Sequence, residues 1–232
     1  MNRIESEALV VRTVDVGEAD VIATLVTEQV GKVSAIVRGA RRGSKRVGGA
    51  LEPVHTIAVL LEDRGAELTT LKESRIVKTR PGVVSRLESL DAAGIALRWV
   101  RHLFPPRTPE PEGWRVLVQL LDVLDEPASE PRRELARAGL ALLSAVGYAL
   151  DLERCVACGR ECPLGKAACV DPGRGGLVCR ACGGASSVLL PDTRAAARAL
   201  ASGASTAVTA TQAESLLAIV DRGMAAHAGF ER

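Results

Sequence analysis

Over the first eighty residues, apolar positions come in short runs rich in Val, Ile and Thr. Glu7–Val14, Asp20–Thr27 and Lys32–Arg38 read as strands, separated by turn signals at Gly17-Glu18 and Val30-Gly31. The third run, Lys32-Val33-Ser34-Ala35-Ile36-Val37, is β-rich without clean alternation. A glycine-rich break from Gly39 to Pro53 follows, and two further strands, Val54–Leu61 and Glu67–Lys72, flank Asp63-Arg64-Gly65. Five short strands in about 75 residues predict a small closed barrel of the OB type, and an SH3-like barrel fits the same pattern.

From Val83 the period changes to helical. Ser85 and Glu88 have the spacing of a capping box, and Leu87, Leu90, Gly94, Leu97 and Val100 recur at helical intervals up to Phe104. Pro105-Pro106 and Pro109-Glu110-Pro111 end that helix. Trp114–Leu124 and Pro131–Val146 read as two more amphipathic helices, and Gly147-Tyr148 closes the second. Helices resume at Asp192–Ala201 and Thr211–Ala226, the last opened by a second capping box from Thr211 to Glu214. A polar, glycine-rich stretch, Arg154–Leu190, interrupts the helical pattern. The expected architecture is α+β and multidomain: a five-stranded OB-type barrel at 1–80, a helical domain at 81–153 and 191–232, and an inserted module at 154–190.

That insert carries the most specific chemistry in the chain. Cys155-Val156-Ala157-Cys158-Gly159 and Cys179-Arg180-Ala181-Cys182-Gly183 are paired Cys-x-x-Cys turns, each followed by glycine. A two-residue spacer lets both sulfurs of a pair face one ion, and two such turns supply the four thiolates of a tetrahedral zinc site. Four protein thiolates leave no open coordination position, so the expected role of Zn2+ is structural. Cys162 and Cys169 leave the ligand set open, since either could replace an outer ligand and six thiols also allow an iron–sulfur cluster. The N-terminus has no secretory pattern and no apolar run is long enough to span a membrane, so a cytoplasmic location is expected, where thiols stay reduced and serve metals.

Net charge is only +2, but its distribution is uneven. Arg38, Arg41, Arg42, Lys45 and Arg46 crowd one glycine-rich loop, with no acid between Glu28 and Glu52. Such a strip suits phosphate binding, because glycine lets backbone N–H groups approach and arginine grips phosphate bidentately. The Gly-Ser-Lys order and the lack of a following helix exclude a nucleotide phosphate loop. No Phe, Tyr or Trp occurs before Trp99, so the barrel has no aromatic platform for base stacking; binding there is expected to be electrostatic and salt-dependent. Trp99, Phe104, Trp114 and Tyr148 fall in the helical region and are expected to pack in cores. His55, His102 and His227 belong to no catalytic or metal pattern, and an enzymatic role is not expected.

The ordered series Glu7-Ala8-Leu9-Val10-Val11-Arg12, Gly17-Glu18-Ala19-Asp20, Gly31-Lys32, Arg38-Gly39-Ala40-Arg41-Arg42, Leu51-Glu52-Pro53, Gly147-Tyr148 and Cys155-x-x-Cys158-Gly159 resembles the bacterial recombination mediator family RecO. The resemblance implies an OB-fold domain, a helical domain and a zinc module. It also implies binding to single- and double-stranded DNA, annealing of complementary strands, and assistance to RecA loading with RecR and single-stranded DNA-binding protein near the nucleoid. Carried onto this chain, Lys32, Arg38, Arg41, Arg42 and Lys45 would contact phosphates. Val26 and Val54 stand where relatives often carry aromatics, which turns the expectation further from stacking toward charge. The rival reading is a zinc-containing protein–protein adaptor that does not touch DNA.

Overall fold

The structure, a computed structural model, describes residues 2–42, 51–204 and 206–228. Lys45 and Arg46 of the basic loop lie outside the described residues. The chain forms two compact units, Met1–Pro127 and Ala128–Arg232.

In the first unit, strands β1 (Asn2–Val16), β2 (Asp20–Thr27), β3 (Gly31–Val37), β4 (Thr56–Asp63) and β5 (Thr69–Lys78) close a barrel in the order β1-β2-β3-β5-β4. This is the OB-type arrangement. Its closing pair is parallel, with Ala35 opposite Thr69 and Ile36 opposite Thr70, while the other pairs are antiparallel. β1 is long enough to pair with both β2 and β4, and an irregularity between Val10 and Arg12 bends it from one to the other. Ala8, Val10, Ala23, Leu25, Ala35, Val37, Ile57 and Leu61 fill the interior. β3 turns out to alternate strictly: Gly31, Val33, Ala35 and Val37 are buried, while Lys32, Ser34 and Ile36 lie half-buried on the outer face. The alternation is hidden in the sequence because Ala35 and Ile36 are both apolar.

Gly31 opens β3 at a φ of +72°, and an added Cβ would lie 1.9 Å from the Thr108 carbonyl oxygen. Only glycine admits the 106–108 segment here, where the Arg107 N–H donates to the Lys32 carbonyl at 2.8 Å.

Three helices complete this unit: α1 (Pro81–Ser85), α2 (Leu87–Leu103) and α3 (Pro111–Asp125). The expected Ser85 capping box does not form. Arg86 takes the N-cap position of α2 without a side-chain cap, and Ser85 instead ends α1, its hydroxyl donating to the Gly82 carbonyl at 3.3 Å. Nor do Leu87 and Leu90 lead the buried face; they are 82% and 41% exposed, whereas Ala92, Ala93, Ala96, Trp99, Val100 and Leu103 are buried. Of the expected positions Leu97 and Val100 are buried, and small alanines, which allow close approach, take the place of Leu87 and Leu90 in the packing stripe.

The second unit contains α4 (Pro131–Ala145), α5 (Pro191–Ala201), α6 (Ala210–Ala228) and a small sheet. Its strands β6 (Asp151–Cys155), β7 (Ala168–Asp171), β8 (Gly176–Leu177) and β9 (Ser187–Leu189) lie in the order β6-β8-β7-β9. α6 does begin with a capping box, two residues earlier than expected. The Thr209 hydroxyl accepts from the Gln212 backbone N–H at 3.3 Å, and the Gln212 side-chain Oε1 accepts from the Thr209 N–H at 2.9 Å. Trp99, Phe104 and Trp114 are buried as expected. Tyr148 is a correction: it is 38% exposed and stacks on His227, with ring centroids 3.9 Å apart. Among the described residues, no helix is long and apolar enough to cross a membrane.

Candidate metal centre and cation clusters

The two Cys-x-x-Cys turns converge. The sulfurs of Cys155, Cys158, Cys179 and Cys182 all lie within 4.8 Å of one another, and those of Cys158 and Cys179 are 3.9 Å apart. Metal–sulfur bonds of about 2.3 Å in a tetrahedron place sulfurs about 3.8 Å apart, so the quartet fits one ion of zinc's size and softness. Local backbone geometry explains the convergence. Gly159 and Gly183 adopt φ values of +72° and +98°, which turn the chain back after each pair. The Cys179 N–H then donates to the Cys155 sulfur at 3.3 Å.

The electrostatics agree with a ligand set. Backbone N–H donation, from Cys179 above all, pulls the Cys155 thiol down to about 6 against the opposing effect of burial. Hydrogen bonds from Cys182 to the thiols of Cys179 and Cys158 push its own deprotonation up to about 12. Four sulfurs crowded together cannot all ionise unless a cation joins them. Cys162 and Cys169 stand outside the quartet, lining a cavity of about 440 Å³ beside Cys179.

The cations form two groups at opposite ends of β3. At its C-terminal end Arg38 is exposed, and Arg41 and Arg42 follow in a short 3-10 turn, Ala40–Arg42. The sequence gap in acids between Glu28 and Glu52 is partly filled by the fold. Asp15, at the end of β1, comes within 3.8 Å of Arg41, and Asp20 accepts from the Gly39 N–H at 2.8 Å. Arg41 and Asp15 keep 51% and 67% of their side-chain surfaces exposed, so the pair is a loose one.

Lys32 is not part of that group. It sits at the other end of β3, where its ammonium donates to the Arg101 carbonyl at 2.5 Å. Around it gather Arg12 from β1 and Arg98, Arg101 and His102 from α2. Burial, then Arg101, pulls the Lys32 ammonium below its usual range. Burial and then Arg12 and Arg98 act in the same direction on Arg101, and burial followed by Arg101, Lys32, Arg98 and Arg12 lowers His102. The charged neighbours that shift these three groups are all basic: Arg12, Lys32, Arg98 and Arg101. Sequence reading named Lys32 alone, because its companions come from elements far apart in the chain.

Comparison with known proteins bears directly on these features. The family model described as "Recombination protein O N terminal" matches residues 1–80, and "Recombination protein O C terminal" matches residues 85–231. The chain belongs to the RecO family. It is 35% identical to the DNA repair protein RecO of Anaeromyxobacter sp. (strain K), over all of this chain and 87% of that protein. Against the DNA repair protein RecO of Geobacter sulfurreducens, identity is 37% over 83% of this chain and 78% of the relative. The corresponding protein of Rubrobacter xylanophilus is 34% identical over 76% of this chain and 70% of its own length. A role in recombination and DNA repair follows from that membership.

Proposed function

We propose that this RecO family member is a non-enzymatic recombination mediator that binds single- and double-stranded DNA through the sugar–phosphate backbone. The observation that carries the reading is an exposed cation group, Arg38 and Arg41, at the end of β3 in a barrel without aromatic residues. Contacts that grip the backbone alone leave base edges available to a complement, as annealing requires. In this reading the protein works in the cytoplasm near the nucleoid, with RecR and single-stranded DNA-binding protein, to help RecA load. The cysteine quartet holds a structural Zn2+. No residue performs bond chemistry.

Salt titration tests the reading. Affinity for a single-stranded oligonucleotide should fall with rising salt, by about 0.7 in logarithmic slope per phosphate neutralised. An Arg38→Glu/Arg41→Glu variant should bind weakly at every salt concentration while keeping the wild-type melting temperature. A wild-type protein that binds no DNA even at low salt, yet captures RecR, would establish the adaptor role instead.

A further inference from the structure

The group around Lys32 is more than a solvated charged face. Lys32 and Arg101 are only partly exposed, and Lys32 spends one of its donors on the Arg101 carbonyl. The Arg101 guanidinium donates in turn to His102 Nε2 at 3.0 Å. Three elements, β1, β3 and α2, converge to put these like charges side by side, an arrangement that costs folding energy unless an anion neutralises it. Trp99 on the same helix is buried, so the site offers an incoming nucleic acid charge and hydrogen bonds, not a stacking surface.

Lys32 lies on the outer face near the start of β3, and the exposed Arg38 follows directly after its last residue, Val37. At about 3.3 Å per residue the two ends are roughly 20 Å apart, which spans about six phosphates of a strand stacked as in a B-form helix, where they rise about 3.4 Å each. We infer that β3 is a track with a phosphate-binding site at each end, and that Arg12, Lys32 and Arg101 form the second site, engaging the same DNA strand that Arg38 holds. The inference rests on the DNA-binding reading above and adds a second anchor to it.

The test uses the full-length protein and single-stranded oligonucleotides of graded length at low salt. Wild type should gain affinity abruptly, by about tenfold or more, once the oligonucleotide is long enough to reach both anchors, at roughly six nucleotides. An Arg12→Gln/Arg101→Gln variant should lose that step and keep the shallow dependence of a single anchor. The anchor for Lys32 survives in this variant because it is a backbone carbonyl. Should the double variant melt early, Arg12→Gln alone, at an exposed position, carries the test, and Arg12→Lys should restore the step. If wild type binds DNA and the double variant retains the step, the second anchor is overturned and the DNA-binding reading stands. If wild type binds no DNA at all, that reading falls and the track with it.

Discussion

Among the described residues, each compact unit buries one arginine almost completely, and the two are partnered in opposite ways. Arg80, in the barrel unit, is 0% exposed; its Nε donates to Asp122 at 2.8 Å, and its Nη1 donates to the Val54 carbonyl at 2.7 Å and the Thr56 hydroxyl at 3.0 Å. Arg194, in the second unit, is 2% exposed and donates to three backbone carbonyls, those of Leu152, Pro163 and Cys162, at 2.9, 2.8 and 2.7 Å. A buried guanidinium needs both hydrogen-bond acceptors and a counter-charge. Asp122 supplies the counter-charge for Arg80. For Arg194 three backbone carbonyls satisfy the donors, and four thiolates around a divalent ion would bring a net charge of about −2 to the same module. The buried arginine of the barrel unit is balanced by a side chain of that unit; that of the cysteine module would be balanced by metal binding.

Removing the metal should therefore break the comparison most severely. β8 has two residues and β9 three, too few to hold a sheet without a centre. Structural zinc contributes on the order of 10 kcal/mol in small domains. Cys155→Ser, or a chelator on the wild type, should strip hydrogen-exchange protection from residues 151–190 and leave the barrel amides protected. Retained protection in the module would mean that its own side chains suffice.

Asp122→Ala comes next. It leaves Arg80 charged and buried without its acid, at a cost of about 3 kcal/mol, the low end for a broken buried pair because Asp122 is one-third exposed. Urea unfolding of the first unit reads it. The strain at Val54, a β-branched residue held at a φ of +71° with its carbonyl on Arg80, should relax in the same variant, since its anchor loosens. Arg194→Met should cost less, about 2 kcal/mol, because the three carbonyls it abandons are neutral. Its distinguishing property is coupling. The cost should shrink in the Cys155→Ser background, where no tetrathiolate centre remains to be balanced. Equal costs with and without the metal site would separate Arg194 from the quartet.

These arginines were not legible in the sequence, whereas the barrel and the cysteine quartet were. The barrel strands and the paired cysteines are declared by local spacing, which survives without knowledge of the fold. Arg80 meets Asp122, and Arg194 meets Leu152, each across 42 positions. The cluster of Arg12, Lys32 and Arg101 is likewise assembled from three elements, and Asp15 reaches Arg41 from the end of another strand. Capping boxes failed for a different reason. Ser85-x-x-Glu88 and Thr211-x-x-Glu214 have the right residues at the right spacing, yet Arg86, held by the Glu126 carbonyl at 2.7 Å, starts α2, and Thr209 with Gln212 starts α6. A spacing motif marks where a cap is allowed, and tertiary contacts choose among the allowed places.

A third arginine supplies the smallest effect and the control for burial. Arg132 on α4 grips Glu214 on α6 with two parallel bonds, Nε to Oε1 at 2.7 Å and Nη2 to Oε2 at 2.6 Å. By geometry this is the best carboxylate pairing of the three arginines, but the side chains are 46% and 55% exposed. Solvent screening should outweigh geometry and hold the cost of Arg132→Ala below about 1 kcal/mol. Hydrogen bonding to Arg132 keeps the Glu214 carboxyl below its ordinary value of 4.5 in the folded chain. The contribution of the pair is therefore complete above that ordinary value and disappears as pH falls through the lowered one. Melting curves of wild type and Arg132→Ala should differ slightly at neutral pH and coincide in strong acid. If Arg132→Ala instead cost as much as Arg194→Met at neutral pH, bond geometry rather than burial would govern the arginines of this unit, and the contrast between Arg80 and Arg194 would need a different cause.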